Sequence, residues 1–171
     1  DTHISERYEF RNIKRNEAEE AAEIERICFP PNEACSKKHM KDRVAGIADL
    51  FLVAIDKENG KMAGFLNGLA TDDEILKDEF FTDASLHNPE GKNVMLLGLD
   101  VLPKYQHQGL ARELVRCYKE REKVNGREKL ILTCLPDKVE MYEKVGFKEH
   151  GIGGCVWGGE AWHEMSVELW G

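Results

Sequence analysis

Residues 93–123 read NVMLLGLDVLPKYQHQGLARELVRCYKEREK, and this stretch decides the fold. An apolar run, Val94 to Val101, is followed by a short polar turn, Pro103 to Gln108. Gly109 then opens a segment with Leu110, Leu114, Val115 and Tyr118 at helical spacing. The order is strand, tight loop, helix. A helix N-terminus exposes unpaired N–H groups at the positive end of its dipole, so a loop placed there can cradle a phosphate. Gly109 lets the backbone approach a ligand closely, and Ala111 is small enough not to obstruct it. The dinucleotide fingerprint G-x-G-x-x-G is absent, and no Gly-Lys-Ser/Thr follows to make a P-loop.

Working outward, residues 134–147 read CLPDKVEMYEKVGF. The preceding run, Lys129 to Thr133, has the character of a buried strand. A short helix is expected from about Asp137, with Asp137 as N-cap and Glu140 at the capping-box position. Gly146 ends that helix and Phe147 begins the next strand. Toward the N-terminus, Tyr8 to Lys14 alternates as a first strand. Asn16 with Glu19 makes a capping-box pattern for a helix to about Cys28, which Pro30-Pro31 breaks. Ser36 can cap a second helix to about Ala48, with Met40, Val44, Ile47 and Ala48 inward. Leu50 to Ile55 and Met62 to Thr71 form a hairpin around Glu58-Asn59-Gly60. Asp72 to Lys92 is polar and irregular, with room for one helical turn. Phe147 to Val156 and Trp162 to Leu169 finish as a hairpin over Gly158-Gly159. Strands precede, interrupt and follow the helices. The expected fold class is therefore α/β of the α+β kind, a central mixed, mostly antiparallel sheet flanked by helices.

The chain of 171 residues is expected to make one domain, 1–171, with 42% hydrophobic and 33% charged residues. No apolar run approaches a membrane span, so no membrane partner is expected. The polar opening DTHISERYEF has no signal-peptide core, and the absence of a leading Met reads as a trimmed or incomplete start. Five cysteines (Cys28, Cys35, Cys117, Cys134, Cys155) with no CxxC argue for free thiols in a reducing cytoplasm, against a disulfide framework or a zinc site. Cys134 is expected to be a small buried residue rather than a nucleophile. A formal charge of −8 argues against nucleic acid and mildly favours a cationic amine. The acidic cluster Asp72-Asp73-Glu74 with Asp78 and Glu79 could form the mouth of an amine site, or a solvated face. Near the quoted stretch the sign reverses: Lys104, His107, Arg112 and Arg116 bring positive charge toward the proposed phosphates.

Gln106-His107-Gln108-Gly109-Leu110-Ala111 resembles motif A of the GNAT acetyltransferase superfamily, Gln/Arg-x-x-Gly-x-Gly/Ala. Tyr142-Glu143-Lys144-Val145-Gly146-Phe147 resembles the end of that family's motif B, at the family's spacing of one helix plus one strand. The C-terminal half is similar to the arylalkylamine (serotonin) N-acetyltransferase group. Its likeness rests on the interval from Cys134 to Tyr142 and on the tail Gly151…Gly158…Glu164-Met165. Leu86-His87-x-Pro89-x-Gly91 and Ile24-Glu25-Arg26…Phe29 extend it from about Phe10 to Leu169. The resemblance implies a GNAT-like fold with acetyl coenzyme A (acetyl-CoA) as cosubstrate and no metal. It implies pyrophosphate on the loop Gln106, His107, Gln108, Gly109, Leu110, Ala111 and Arg112. It places the thioester carbonyl beside backbone N–H groups near Leu99, Asp100 and Val101. Vertebrate members carry a His-x-His pair for proton removal, but Met95 and Leu97 stand at the matching positions here.

Acetyl transfer to an amine makes three demands. Polarising donors must meet the carbonyl, a contribution of roughly 3 to 4 kcal/mol. The amine, of pKa about 10 when free, must lose a proton. The departing thiolate, of pKa about 8.5, needs one. Tyr142 matches the family tyrosine that reaches the coenzyme sulfur, which implies a general acid. Candidate bases are His87, Glu33, Glu164 and His163, with His87 favoured because it lies just before the motif A strand. Phe29 matches a family position lining the amine pocket. The expected function is acetylation of a small primary arylalkyl- or alkylamine by a cytoplasmic monomer or homodimer. Rival readings are acetylation of a protein N-terminus or lysine, and a non-catalytic coenzyme A sensor.

Overall fold

A computed structural model describes residues 2–170. Seven strands form one sheet in the order β1-β2-β3-β4-β5-β7-β6. They are β1 Tyr8–Asn12, β2 Phe51–Asp56, β3 Met62–Thr71, β4 Asn93–Val101, β5 Lys129–Cys134, β6 Lys148–Ile152 and β7 His163–Glu168. Every neighbouring pair is antiparallel except β4 with β5. The α-helices are α1 Thr2–Arg7, α2 Ala18–Cys28, α3 Lys37–Gly46, α4 Glu79–Thr82, α5 Leu110–Val124 and α6 Val139–Lys144. The mixed, mostly antiparallel sheet expected from the sequence is thus present.

Helices cover both faces of the sheet. β2 is buried along its whole length, and its alternate residues serve two cores. Phe51, Val53 and Ile55 pack with Ala21, Ile24, Met40 and Val44 of α2 and α3. Leu52 and Ala54 join the cluster that includes Leu110, Leu114, Val115 and Tyr118 of α5. These four α5 residues are the apolar stripe legible in the sequence. The Tyr118 hydroxyl donates to the Leu50 carbonyl at 2.8 Å, so its one polar atom is satisfied inside the core. Gly68 makes room for it, because a Cβ there would lie 2.7 Å from both the Tyr118 oxygen and Val94 Cγ1.

Two helix starts differ from expectation. Asn16 does not cap α2. Residues Arg15–Glu17 form a 3-10 turn instead, and the Glu17 carboxylate accepts from Lys14 N–H at 2.8 Å while pairing with Arg11. Asp137 likewise lies inside a 3-10 turn, Pro136–Lys138, and gives α6 no side-chain cap. Proline at the first position of that turn fixes the entry angle, so no capping side chain is needed to start it. Ser36 does cap α3: its Oγ accepts from His39 N–H at 3.1 Å.

Candidate active site

β4 and β5 pair only through Asn93–Lys129, Val94–Leu130 and Met95–Ile131. Beyond Met95 each strand keeps only its outer neighbour. β4 stays with β3 as far as Val101, and β5 stays with β7 as far as Cys134. The register between β3 and β4 shifts at Asn67/Gly68, which leaves Leu97 as the extra residue of a bulge. A bulge bends and twists its strand, and this one turns β4 away from β5. The result is a cleft through the sheet. Within β4 only Gly98 and Leu99 escape burial, both just past the point of parting. The Val101 carbonyl, at the end of the strand, accepts from Gln106 Nε2 at 2.9 Å and from the Cys28 thiol at 3.3 Å.

The helix that follows β4 starts on Gly109, at φ +87°, with no side-chain cap on its first turn. Its leading N–H groups are therefore left for a ligand. A Cβ at Gly109 would meet nothing within 4 Å, so the loop faces open space. His107 is the one non-glycine residue with positive φ among the described residues, at 62°. That conformation costs roughly 1 to 2 kcal/mol and holds the loop in a concave turn. Gln106, His107, Gln108, Gly109 and Arg112 are exposed, Ala111 is half-buried, and Leu110 anchors the helix in the core. Arg116 is engaged by Glu113 and by Glu120 at 3.3 Å, so Arg112 is the better placed cation for an anionic ligand.

Tyr142 lies on α6, beyond β5, and its ring meets Phe147 edge-on at 5.5 Å. Burial raises its phenol well above the ordinary value, with further contributions from Cys134 and Asp100. The phenol is thus fully protonated at neutral pH, and Asp100 is near enough to influence it. Cys134 is buried, its thiol pushed up to about 12 mainly by desolvation, which leaves no thiolate for nucleophilic work. Met95 and Leu97 are buried in the core.

His87 is placed away from the cleft. Its Nδ1 accepts from Ala70 N–H at 3.1 Å, and Ala70 faces Val94 at the closed end of the β4–β5 pair. Burial, then Arg127, lowers its pKa. The bond to a sheet amide ties His87 into the β3 edge of that end of the sheet. Of the acidic cluster Asp72-Asp73-Glu74 with Asp78 and Glu79, Glu74 is engaged in ion pairs. Glu74 binds Lys92 at 3.1 Å, Lys129 at 3.0 Å and Asn93 at 2.9 Å, and the Lys129 and Asn93 bonds lead in holding its carboxyl down at about 2. It fastens the same closed end of the sheet.

The sequence did not reveal where the segment between the last two strands docks. Residues 153–162, between β6 and β7, dock on the loops after α2 and around α4. Trp157 Nε1 donates to the Glu33 carbonyl at 2.7 Å, and Asn32 Nδ2 donates to the Gly158 carbonyl at 3.0 Å. The Trp157 ring stacks on Phe81 at 5.2 Å, and Trp162 Nε1 donates to the Trp157 carbonyl at 2.7 Å. Phe29, Phe81, Trp157 and Trp162 are all half-buried. The two tryptophans flanking Gly158-Gly159 were the available signal, hidden because nothing local shows where a hairpin tip will land.

A family model for the Acetyltransferase (GNAT) family matches residues 18–147. No curated protein sequence matches the chain. Among solved structures, the loading GNATL domain of CurA from Lyngbya majuscula superposes with a TM-score of 0.82 at 16% identity, covering 95% of this chain and 98% of that one. The ribosomal-protein-S18-alanine N-acetyltransferase from Escherichia coli gives 0.66 at 20% identity, with 95% and 94% covered. The GNAT family N-acetyltransferase YhbS from Escherichia coli, in complex with CoA, gives 0.63 at 24%, with 95% and 82% covered. The chain belongs to the GNAT acetyltransferase family, and is an acyltransferase of the acyl-CoA-dependent N-acetyltransferase class. The uncapped α5 terminus, the open space at Gly109 and the parted strands fit a coenzyme A group.

Gly109→Val should weaken coenzyme A binding by about tenfold or more, because the side chain enters the ligand's path. Gly126→Val is the control. It has the same kind of strain, φ +85° and no neighbour within 4 Å, but lies at the far end of α5. Calorimetry on both folded variants should show the loss only at Gly109.

Proposed function

We propose that this chain acetylates a small primary amine with an aromatic or alkyl body. The observation that carries the reading is the cleft itself, with an uncapped helix start on its β4 side and a protonated tyrosine on its β5 side. Backbone N–H groups from His107 to Arg112 would hold the pyrophosphate, and the parted segment of β4 at Leu99, Asp100 and Val101 would receive the thioester. The bound acetyl-CoA supplies an activated acyl group. The chain's residues do the rest. Strand amides oriented before reaction stabilise charge developing on the carbonyl oxygen at no reorganisation cost. Tyr142 delivers its proton to the departing sulfur, and its raised pKa keeps that proton available at neutral pH.

The acceptor side supports a small substrate. The 153–162 segment is tied to Asn32 and Glu33, next to Phe29 in sequence, and in this reading it would border the amine pocket. Phe29, beside Pro30-Pro31, and the stacked Phe81–Trp157 pair supply flat apolar surface. An aromatic contact adds on the order of 1 kcal/mol beyond area burial.

The test is a coenzyme-release assay across a panel of amines. Phenethylamine-like compounds should show higher kcat/KM than spermidine, aminoglycosides or peptide N-termini. A clear preference for spermidine or a peptide would overturn the substrate assignment. Tyr142→Phe should reduce kcat by roughly 10²- to 10⁴-fold at pH 7 with little change in coenzyme affinity. The deficit should ease at high pH, where the thiolate leaves unassisted. Full activity in the folded variant would make Tyr142 a packing residue.

A further inference from the structure

The structure brings together two carboxyl groups that neither the family motifs nor the sequence pattern singled out as a pair. Asp100 on β4 is fully buried and Glu25 on α2 is 4% exposed. Glu25 Oε2 accepts from Cys35 N–H at 2.9 Å. Glu25 Oε1 and both oxygens of Asp100 have no hydrogen-bond donor among the described residues. Leaving three buried carboxylate oxygens unpaired is costly, and two like charges in one dry site cannot both persist. A single proton resolves both problems, because a protonated Asp100 can donate to Glu25 within the pair.

The pair sits directly beneath the cleft. Gly98 is half-exposed, and a Cβ built on it would lie 3.2 Å from Asp100 Oδ1, 3.3 Å from Asn67 Nδ2 and 3.7 Å from Glu25 Oε1. Because Gly98 has no side chain, only backbone separates the two carboxyls from the open stretch of β4. Asn67 is fixed by Arg43, whose Nη1 donates to its Oδ1 at 3.2 Å, while Arg43 Nη2 holds the Phe81 carbonyl at 2.8 Å. Asn67 Nδ2 also donates to the Gly98 carbonyl at 3.3 Å, so Arg43 and Asn67 brace the backbone beside the pair.

We propose that Glu25 and Asp100 form a one-proton relay that takes the proton lost by the acceptor amine. This assignment rests on the N-acetylation reading and fills the role left open by Met95 and Leu97. The amine lone pair forms the new C–N bond as the C–S bond breaks. The nitrogen's surplus proton passes over Gly98 to the pair, and the sulfur takes the proton of Tyr142. The pair then returns a proton to Tyr142, which restores the protein's own groups each turnover; the proton that the ammonium form sheds before attack goes to solvent.

Four ionisable side chains face Asp100: Glu25 and Cys28 from α2, Arg43 from α3 and Tyr142 from α6. Burial, then Glu25, then Cys28 push its carboxyl up, and Arg43 opposes them. A folded-state pKa above the unfolded one contributes stability at low pH that is lost as pH rises through the folded value.

Two measurements test the proposal. Asp100→Asn keeps the shape and cannot ionise, so its melting temperature should gain on the wild type as pH rises from 5 to 8, by roughly 3 to 5 °C per pH unit. In the coenzyme-release assay, Asp100→Asn and Glu25→Gln should each lower kcat by roughly 10²- to 10⁴-fold at pH 7, with the deficit narrowing toward pH 9. Coenzyme affinity should stay within about twofold on both variants, since neither side chain faces the phosphate loop. A pH-independent melting difference, or wild-type kcat with an unchanged pH profile, overturns the relay while acetylation stands. If the wild type acetylates no amine and the melting slope is present, the acetylation reading falls and takes the relay with it.

Discussion

The parallel contact between β4 and β5 holds for three residue pairs and then ends. The proposed site depends on that ending. Two adjacent strands ordinarily continue to exchange hydrogen bonds, because an unpaired buried backbone group is costly. Here each strand is already committed on its other side, β4 to β3 and β5 to β7, so each can leave its neighbour without unfolding. The bulge at Leu97 supplies the divergence. The parted backbone finds local partners where it can, as the Val101 carbonyl does with Gln106 and Cys28. Past the parting, Gly98 and Leu99 are the β4 residues that escape burial, and the proposed acyl group would lie against their backbone.

The cleft needs a rigid frame, and the two cores provide it. α5 is seated by Leu110, Leu114, Val115 and Tyr118, which fixes the direction of its N-terminal amides. α2 and α3 are seated on the other face by Ala21, Ile24, Met40 and Val44, which fixes Glu25, Cys28 and Arg43. The closed end is fastened by Glu74 with Lys92, Lys129 and Asn93. The 153–162 segment is tied to Asn32 and Glu33, in the loop after α2. Residues of the proposed site from distant parts of the chain are thus held by packing.

Much of the fold was legible in the sequence because its signals are local. The strand–loop–helix order at 93–123 and the stripe on α5 need only periodicity. The left-handed start at Gly109 needs only a glycine in the right place. Capping was less legible: Asn16 and Asp137 are good capping residues displaced by 3-10 turns that precede their helices. His87 lies just before β4 in sequence, and only the assembled sheet shows its bond to the Ala70 amide. The Glu25–Asp100 pair and the Trp157–Phe81 stack stayed hidden for the same reason. Their partners are separated by 75 and 76 positions, and only the assembled sheet brings them together.

The central claim is that the parted β4 segment and the α5 start form one binding surface for coenzyme A. Amide hydrogen exchange of the intact chain, with and without coenzyme A, tests it most directly. Slowed exchange confined to 96–101 and 107–112, with the far end of α5 unchanged, is the predicted result. Protection elsewhere, with these two segments exchanging as before, would contradict it.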